Sequence, residues 1–345
     1  MAAYNYYSSP RLDTSPYVGE ELISILIPAR NEAHNLPGVL NSILAQRGVK
    51  YEVIILDDNS DDGTFEIATG FAERNKSIRV LRGLPLAHGW TGKNYACWQL
   101  AQAAQGDYLL FVDADVKLSP HLLSSALHRT KEKNLSLLSL FSNQQMLSFG
   151  ECCTVPLMHY LLLTLLPIRL ILDHSLPIFS AACGQFMFFP AQGYHRDQWH
   201  YQLRGTVAED LSIMKAIKVS GLKGEGLMAN GLVSCRMYTS FYEAVMGFSK
   251  NFIAPFNERL LLFIPFTLIL LSGPIIIIFS GDLYQITLLA LIIFLTRTYT
   301  SLLCGERWWL NAIMHPLHMI SFSVISGFAL QQHVFKSSIW KGRIV

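Results

Sequence analysis

Short apolar runs alternate with helical repeats through the first half of the chain, and long uncharged runs fill its last quarter. Ile23 to Ile27 reads as a buried strand that stops at Pro28. Leu36, Val39, Leu40, Ile43 and Leu44 then recur at helical spacing and form one apolar stripe. A second strand, Glu52 to Leu56, runs into Asp57 and Asp58, and Ser60-Asp61-Asp62-Gly63-Thr64 opens the next helix. Ile78 to Leu81 is a third strand, Lys93 to Gln105 an alanine-rich helix, and Tyr108 to Val112 a fourth strand ending in Asp113-Ala114-Asp115. Strands alternating with helices predict an α/β, Rossmann-like domain with a mostly parallel sheet flanked by helices. Ligands of such sheets sit beyond the carboxyl ends of the strands, and the acidic residues gather there.

The second half has a different pattern. Leu260–Ser280 is uncharged and matches the roughly 20 apolar residues that cross a bilayer. Leu283–Cys304 is similar except for Arg297, and Trp308–Leu330 is uncharged with Trp308 and Trp309 placed for an interfacial belt. Two to three transmembrane helices are therefore expected within 259–331. The apolar segment 155–172 is broken by Pro156, Pro167 and Arg169, and is expected to lie in the membrane interface, with an ordinary core helix as the alternative. Lys250 and Arg259 favour a cytosolic start to the first span, and Asp282 suits the far side. Three full spans would put Lys336, Lys341 and Arg343 of the basic 332–345 tail outside, against the positive-inside rule, unless one segment is re-entrant or lies flat. The polar 1–22 segment has no apolar h-region, so no signal peptide is expected and the N-terminus should stay cytosolic.

Composition agrees with a soluble domain joined to a membrane domain. Of 345 residues, 51% are hydrophobic and only 15% charged, against roughly 25% charged in soluble domains. A net charge of +2 without a long Lys/Arg run argues against nucleic-acid binding. The six cysteines show no C-x-x-C spacing, so reduced thiols are expected rather than a zinc site. His315 and His318 stand one turn apart beside Pro316, and are read as a satisfied or pore-facing pair rather than metal ligands.

The acidic positions carry the chemistry. Asp113 and Asp115 end an apolar strand, where the chain turns and both carboxylates can converge on one hard cation, Mg²⁺ or Mn²⁺. Such an ion neutralises a departing diphosphate. Asp57 or Asp58 is placed to accept from a base N–H or ribose hydroxyls, the alternative being a turn or helix-cap role. Asp210, in Ala208-Glu209-Asp210, is either a favourable charge at a helix N-terminus or a general base that takes the proton of an attacking hydroxyl. His88-Gly89-Trp90-Thr91-Gly92-Lys93 is a turn into a helix, where Lys93 can add charge beside a diphosphate. Gly184, in Cys183-Gly184-Gln185-Phe186, can admit a sugar or an acceptor head, or mark a close backbone approach.

In order, Ile25-Leu26-Ile27-Pro28-Ala29-Arg30-Asn31-Glu32, Leu56-Asp57-Asp58-Asn59-Ser60-Asp61-Asp62-Gly63-Thr64, Asp113-Ala114-Asp115 and Glu209-Asp210 resemble the motifs of family 2 glycosyltransferases. The resemblance spans roughly 23–250. It implies a GT-A catalytic domain over 23–235, a 236–258 membrane-interface and acceptor region, and an inverting single displacement by a hexosyltransferase. By that likeness Pro28, Ala29, Arg30, Glu32 and Asp58 line the nucleotide pocket, with Asp57 and Lys93 beside them. Asp113 and Asp115 hold metal and diphosphate, Glu209-Asp210 is the catalytic pair, and Asp210 is the base.

Gly89-Trp90-Thr91-Gly92-Lys93, Arg236-Met237-Tyr238 and Gly247-Phe248-Ser249-Lys250-Asn251 are similar to the membrane-bound carotenoid and hopanoid-associated subgroup, ceramide glucosyltransferases being more distant. This implies a UDP- or GDP-sugar donor and a terpenoid or sphingolipid-like acceptor. The apolar segments and the polar N-terminus lead to the expectation of a multi-pass protein of the cell (inner or plasma) membrane with its catalytic domain in the cytosol, and the subgroup's own topology is not carried over. The Q-x-x-R-W of processive polysaccharide synthases is missing, which favours single-sugar transfer. Members of the subgroup often begin with a membrane helix that is not seen here. A nucleotidyltransferase on a similar sheet is the other rival reading, and it would release pyrophosphate instead of a nucleoside diphosphate.

Overall fold

The computed structural model describes residues 1–14, 17–335, 339–340 and 343–344. The tail lysines Lys336 and Lys341 lie outside the described residues. The chain divides into two compact units, one of residues 10–143 and 168–235, the other of 1–9, 144–167 and 236–345.

The first unit is built on ten strands: β1 (Leu22–Ala29), β2 (Lys50–Asp57), β3 (Ile78–Arg82), β4 (Tyr108–Val112), β5 (Val116–Leu118), β6 (Leu137–Phe141), β7 (Asn143–Gln144, whose second residue falls in the other unit), β8 (Phe186–Pro190), β9 (Gly224–Met228) and β10 (Val233–Cys235). Seven of them form one sheet in the order β3-β2-β1-β4-β8-β6-β9. β1, β2, β3 and β4 run parallel, as do β6 and β9, while β8 is antiparallel to both β4 and β6. The expected strands are all present, and the mostly parallel sheet is the predicted class. β1 continues through Pro28 to Ala29 rather than stopping before the proline. Pairing of β1 with β4 ends at Leu26–Phe111, so Pro28 sits where no β4 partner needs its missing N–H. Ile23, Ile25, Leu26, Ile27, Val53, Ile54, Ile55, Leu109 and Leu110 are fully buried, as central strands covered on both faces must be. The Leu36–Leu44 helix buries Leu36, Val39, Leu40 and Ile43, four of the five residues of the predicted stripe.

The second unit is helical. Leu260–Phe279 and Leu283–Cys304 are the two helices long and apolar enough to cross a membrane among the described residues. The predicted third span is not one helix. It is broken at Met314 into Trp308–Ile313 and His315–Phe335. The 155–172 segment is likewise two helices, Pro156–Leu165 in this unit and Leu170–Asp173 in the first. Pro167 disfavours helical geometry at Leu166, and Leu166 is extended at ψ 126. The 1–22 segment is not uniformly irregular, because Ala2–Ser8 is a helix. Asn5, fully buried, holds it by donating through Nδ2 to the Leu163 and Leu166 carbonyls at 2.8 Å each. Tyr6 and Tyr7 pack on Tyr299. Phe252, Phe263, Phe322 and Ile325 centre the core of this unit. All six cysteines are free.

Candidate active site

Two loops meet at the carboxyl ends of β1 and β2, where Ala29 pairs with Asp57. The Ser60–Thr64 segment works as a clamp on the loop after β1. Ser60 Oγ accepts from Asn31 N at 3.0 Å, Thr64 Oγ1 from Glu32 N at 2.8 Å, and Asp62 Oδ2 from Ala33 N at 3.0 Å. Asp62 Oδ1 also accepts from Thr64 Oγ1 at 2.5 Å, and Asp61 N donates to Asn31 Oδ1 at 3.0 Å. Asn31 and Asn59 both take the left-handed conformation that asparagine tolerates. Arg30 Nη1 donates to the main-chain carbonyls of Asp58 at 2.6 Å and Asn59 at 3.2 Å. Asp57 is buried, and its Oδ1 has no hydrogen-bond partner among the described residues. The serine, aspartate and threonine of this motif thus shape the loop that carries Arg30 and Glu32. Asp62→Ala removes three of the clamp's acceptor bonds, and should weaken nucleotide-sugar binding about tenfold with a smaller change in kcat, measurable by nucleotide titration.

A second group forms beyond β4. Lys93 Nζ lies 3.0 Å from Asp113 Oδ1 and 3.1 Å from Glu209 Oε1. Burial works against its charge, but these two carboxylates prevail and hold the ammonium well above the usual lysine range. Asp115 Oδ1 is buried with no hydrogen-bond partner among the described residues. Burial first, and the neighbouring Asp113 charge second, push Asp115 up to about 7, opposed by a hydrogen bond from Cys235. Cys235 Sγ accepts in turn from Gln185 Nε2 at 2.9 Å, and Gln185 Oε1 is held by Ser142 Oγ. Glu32 also contributes negative potential at Asp115. A buried, unsatisfied carboxylate oxygen in an all-oxygen donor set fits a hard divalent cation.

Asp210 stands in the first turn of the Glu209–Val219 helix. Its Oδ2 accepts from Gly184 N at 2.9 Å and its Oδ1 from Leu211 N at 2.7 Å. A Cβ at position 184 would come 3.0 Å from Lys93 Nζ, 3.3 Å from Glu209 Oε1 and 3.5 Å from Asp210 Oδ2, so Gly184 is where these groups converge. Ser139 Oγ fixes that segment from β6, donating to Cys183 O at 3.1 Å and accepting from Cys183 N at 2.7 Å. Burial, then the Glu209 charge, raise the Asp210 carboxyl to about 6. A base works deprotonated, so kcat/KM should climb as pH rises through about 6 and fall about tenfold per unit below it. A pH–rate profile checks this.

The Thr91–Asn94 stretch does more than start a helix. Thr91 caps Gly92–Ala103, and its N–H donates to Arg204 O at 2.8 Å. Asn94 Nδ2 donates to the carbonyls of Leu203, Arg204 and Thr206 at 2.8, 3.2 and 3.0 Å, tying down the approach to Glu209 and Asp210. Asn94, Gln185 and Cys235 escape sequence reasoning, because nothing in their spacing marks them; only the adjacency of Asn94 to Lys93 and of Gln185 to Gly184 hints at it. Of the predicted residues, Lys93, Glu209 and Asp210 come together around Gly184, Asp113 joins them through Lys93, and Asp115 stands beside Asp113. Pro28, Ala29, Arg30, Asp57 and Asp58 form the neighbouring group on β1 and β2, with Glu32 on the clamped loop.

Residues 24–150 match the Glycosyl transferase family 2 model, and the sheet and its helices have the GT-A fold. The chain is 28% identical over 66% of its length to a 4,4'-diaponeurosporenoate glycosyltransferase of Staphylococcus haemolyticus, of which the match covers 60%. It is 35% identical over 31% of its length to a dolichyl-phosphate beta-glucosyltransferase of Drosophila melanogaster, of which 33% is covered. The chain thus spans less than two thirds of the length of these curated relatives. It also superposes on a mannosyltransferase from Pyrobaculum calidifontis in complex with GDP-Man and Mn²⁺, with a TM-score of 0.59 at 14% identity over 96% of this chain and 92% of that one. At that identity the likeness speaks for the fold alone.

Proposed function

We propose that this protein is an inverting glycosyltransferase that moves one sugar from a UDP- or GDP-sugar to a lipid acceptor at the cytosolic face of a membrane. The observation that carries the reading is the convergence of Lys93, Glu209 and Asp210 on Gly184, with Asp113 paired to Lys93 and Asp115 next to Asp113 and within reach of the Glu32 charge. A lipid acceptor is supported by the names of both relatives and a carotenoid type by the staphylococcal one, and membrane attachment by the two long apolar helices.

In this reading the nucleotide lies against Pro28, Ala29, Arg30, Glu32, Asp57 and Asp58. Asp113 and Asp115 would hold a Mg²⁺ or Mn²⁺ ion, which supplies positive charge to the diphosphate when bound. Lys93 adds a fixed cation on the same side. The acceptor oxygen forms a bond to the anomeric carbon as the bond to the diphosphate breaks; where that oxygen is a hydroxyl, Asp210 takes its proton, and a carboxylate acceptor attacks already deprotonated. Glu209 keeps Lys93 in place and raises the basicity of Asp210. One displacement inverts the anomeric centre.

The test uses the protein in lipid with Mn²⁺ or Mg²⁺, a panel of nucleotide-sugars, and extracted lipids or soluble alcohols as acceptors. Lipid-stimulated release of nucleoside diphosphate with one sugar per product supports the reading. Pyrophosphate release, or a polymer, would replace it with one of the two rival chemistries.

A further inference from the structure

Arg297 is the single charged residue of the Leu283–Cys304 helix, and the structure buries it to 1% exposure. Its guanidinium lies over the Tyr160 ring, 3.6 Å from the centroid, and Nε donates to His315 Nδ1 at 2.9 Å. Nη2 is buried without a hydrogen-bond partner among the described residues. The carboxylate whose charge acts on Arg297 is Glu306. That carboxylate is already taken up, Oε1 by His159 Nδ1 at 2.9 Å and Oε2 by Asn311 Nδ2 at 2.7 Å. An arginine cannot shed its proton, and a buried guanidinium with an unsatisfied N–H group and no directly bonded carboxylate is costly. Within an apolar helix such a residue marks a binding site by default.

His315 extends the argument. A guanidinium only donates, so His315 Nδ1 must accept and the ring proton sits on Nε2. The His315 ring lines a cavity of about 430 Å³ together with Phe294, Trp308, Trp309 and Ile313. The site therefore combines an apolar, aromatic wall with one N–H group backed by a buried cation that no carboxylate hydrogen-bonds among the described residues. Aromatic side chains of this kind favour the boundary between lipid heads and chains.

We propose that this cavity binds a bilayer lipid with an oxyanion head, a carboxylate or a phosphate, held by the His315–Arg297 pair. Its chain lies against Phe294, Trp308 and Trp309. The proposal rests on the reading of Leu283–Cys304 as a membrane span.

The experiment takes the full chain in nanodiscs of phosphatidylcholine doped with phosphatidic acid, and follows retained lipid by native mass spectrometry. Wild type should keep one phosphatidic acid per chain, with at least tenfold preference over phosphatidylcholine. Arg297→Gln should cut that preference to twofold or less. Arg297→Lys keeps the charge and should retain part of it, and Trp309→Ala should lose lipid of either head group. If membranes release the wild type in alkaline carbonate, the membrane reading fails. If the protein stays in the membrane but Arg297→Gln leaves the head-group preference unchanged, the proposed site alone fails. A rise in acceptor KM in Arg297→Gln with lipid retention unaltered would assign the cavity to the acceptor and overturn the bilayer-lipid assignment.

Discussion

Asp210→Asn is expected to lower kcat/KM by about 10²- to 10⁴-fold, the range a positioned general base contributes, while nucleotide binding stays within about threefold. The two carboxylate oxygens accept from different backbone groups, Gly184 N and Leu211 N. Asparagine can satisfy only one of them, and its NH₂ must face the other donor. A modest loss of stability, about 1–2 kcal/mol, should accompany the loss of rate, so thermal unfolding belongs beside the kinetics. Burial and Glu209 raise the Asp210 carboxyl to about 6, close enough to neutral pH for an effective proton acceptor. Turnover within tenfold of wild type in a folded Asp210→Asn protein would rule out its role as the base.

Asp115→Asn should act in opposite directions on function and stability. Titration with Mn²⁺, followed by paramagnetic resonance, should show metal affinity reduced at least a hundredfold, and lipid glycosylation should be undetectable. Without metal the variant should unfold at a higher temperature than wild type above pH 7. Asp115 has a folded pKa of about 7, well above its unfolded value of 3.8, because burial and Asp113 disfavour its charge. A carboxyl raised in this way favours the folded state while protonated, and that contribution is lost as pH rises through about 7. Asparagine carries no such penalty. Equal stability of the two proteins at pH 8 would mean that the Asp115 carboxylate is not isolated as the structure implies.

How far the site is legible from the chain follows from what kind of signal each residue leaves. Asp113 and Asp115 are visible because an apolar run, Tyr108–Val112, delivers them to a strand end, and the strand is found at those bounds. The Ser60–Thr64 motif is visible as a turn, but its function as a clamp is not. Its partners Asn31, Glu32 and Ala33 lie about 30 residues away and meet it only through the β1–β2 pairing. Lys93 is visible as a cation near a helix start. Its position between Asp113 and Glu209 depends on elements 20 and more than 100 residues distant. The two long helices fall within the two to three expected, and the third apolar segment is legible only in part. Its missing charge suggested a continuous span, whereas the helix breaks at Met314, just ahead of Pro316.

The local order of hydrophobic and polar residues determined the strands, the helices and the α/β class, because burial of a strand or a helix stripe depends on periods of a few residues. It also placed the acidic groups at strand ends. Tertiary structure decided which charges meet. Gly184 brings Lys93, Glu209 and Asp210 within reach of one another, Cys235 and Gln185 back Asp115, and Glu306 spends its hydrogen bonds on His159 and Asn311 rather than on Arg297. Electrostatic partnership is set by distance and burial in the folded chain, and neither is encoded in sequence spacing.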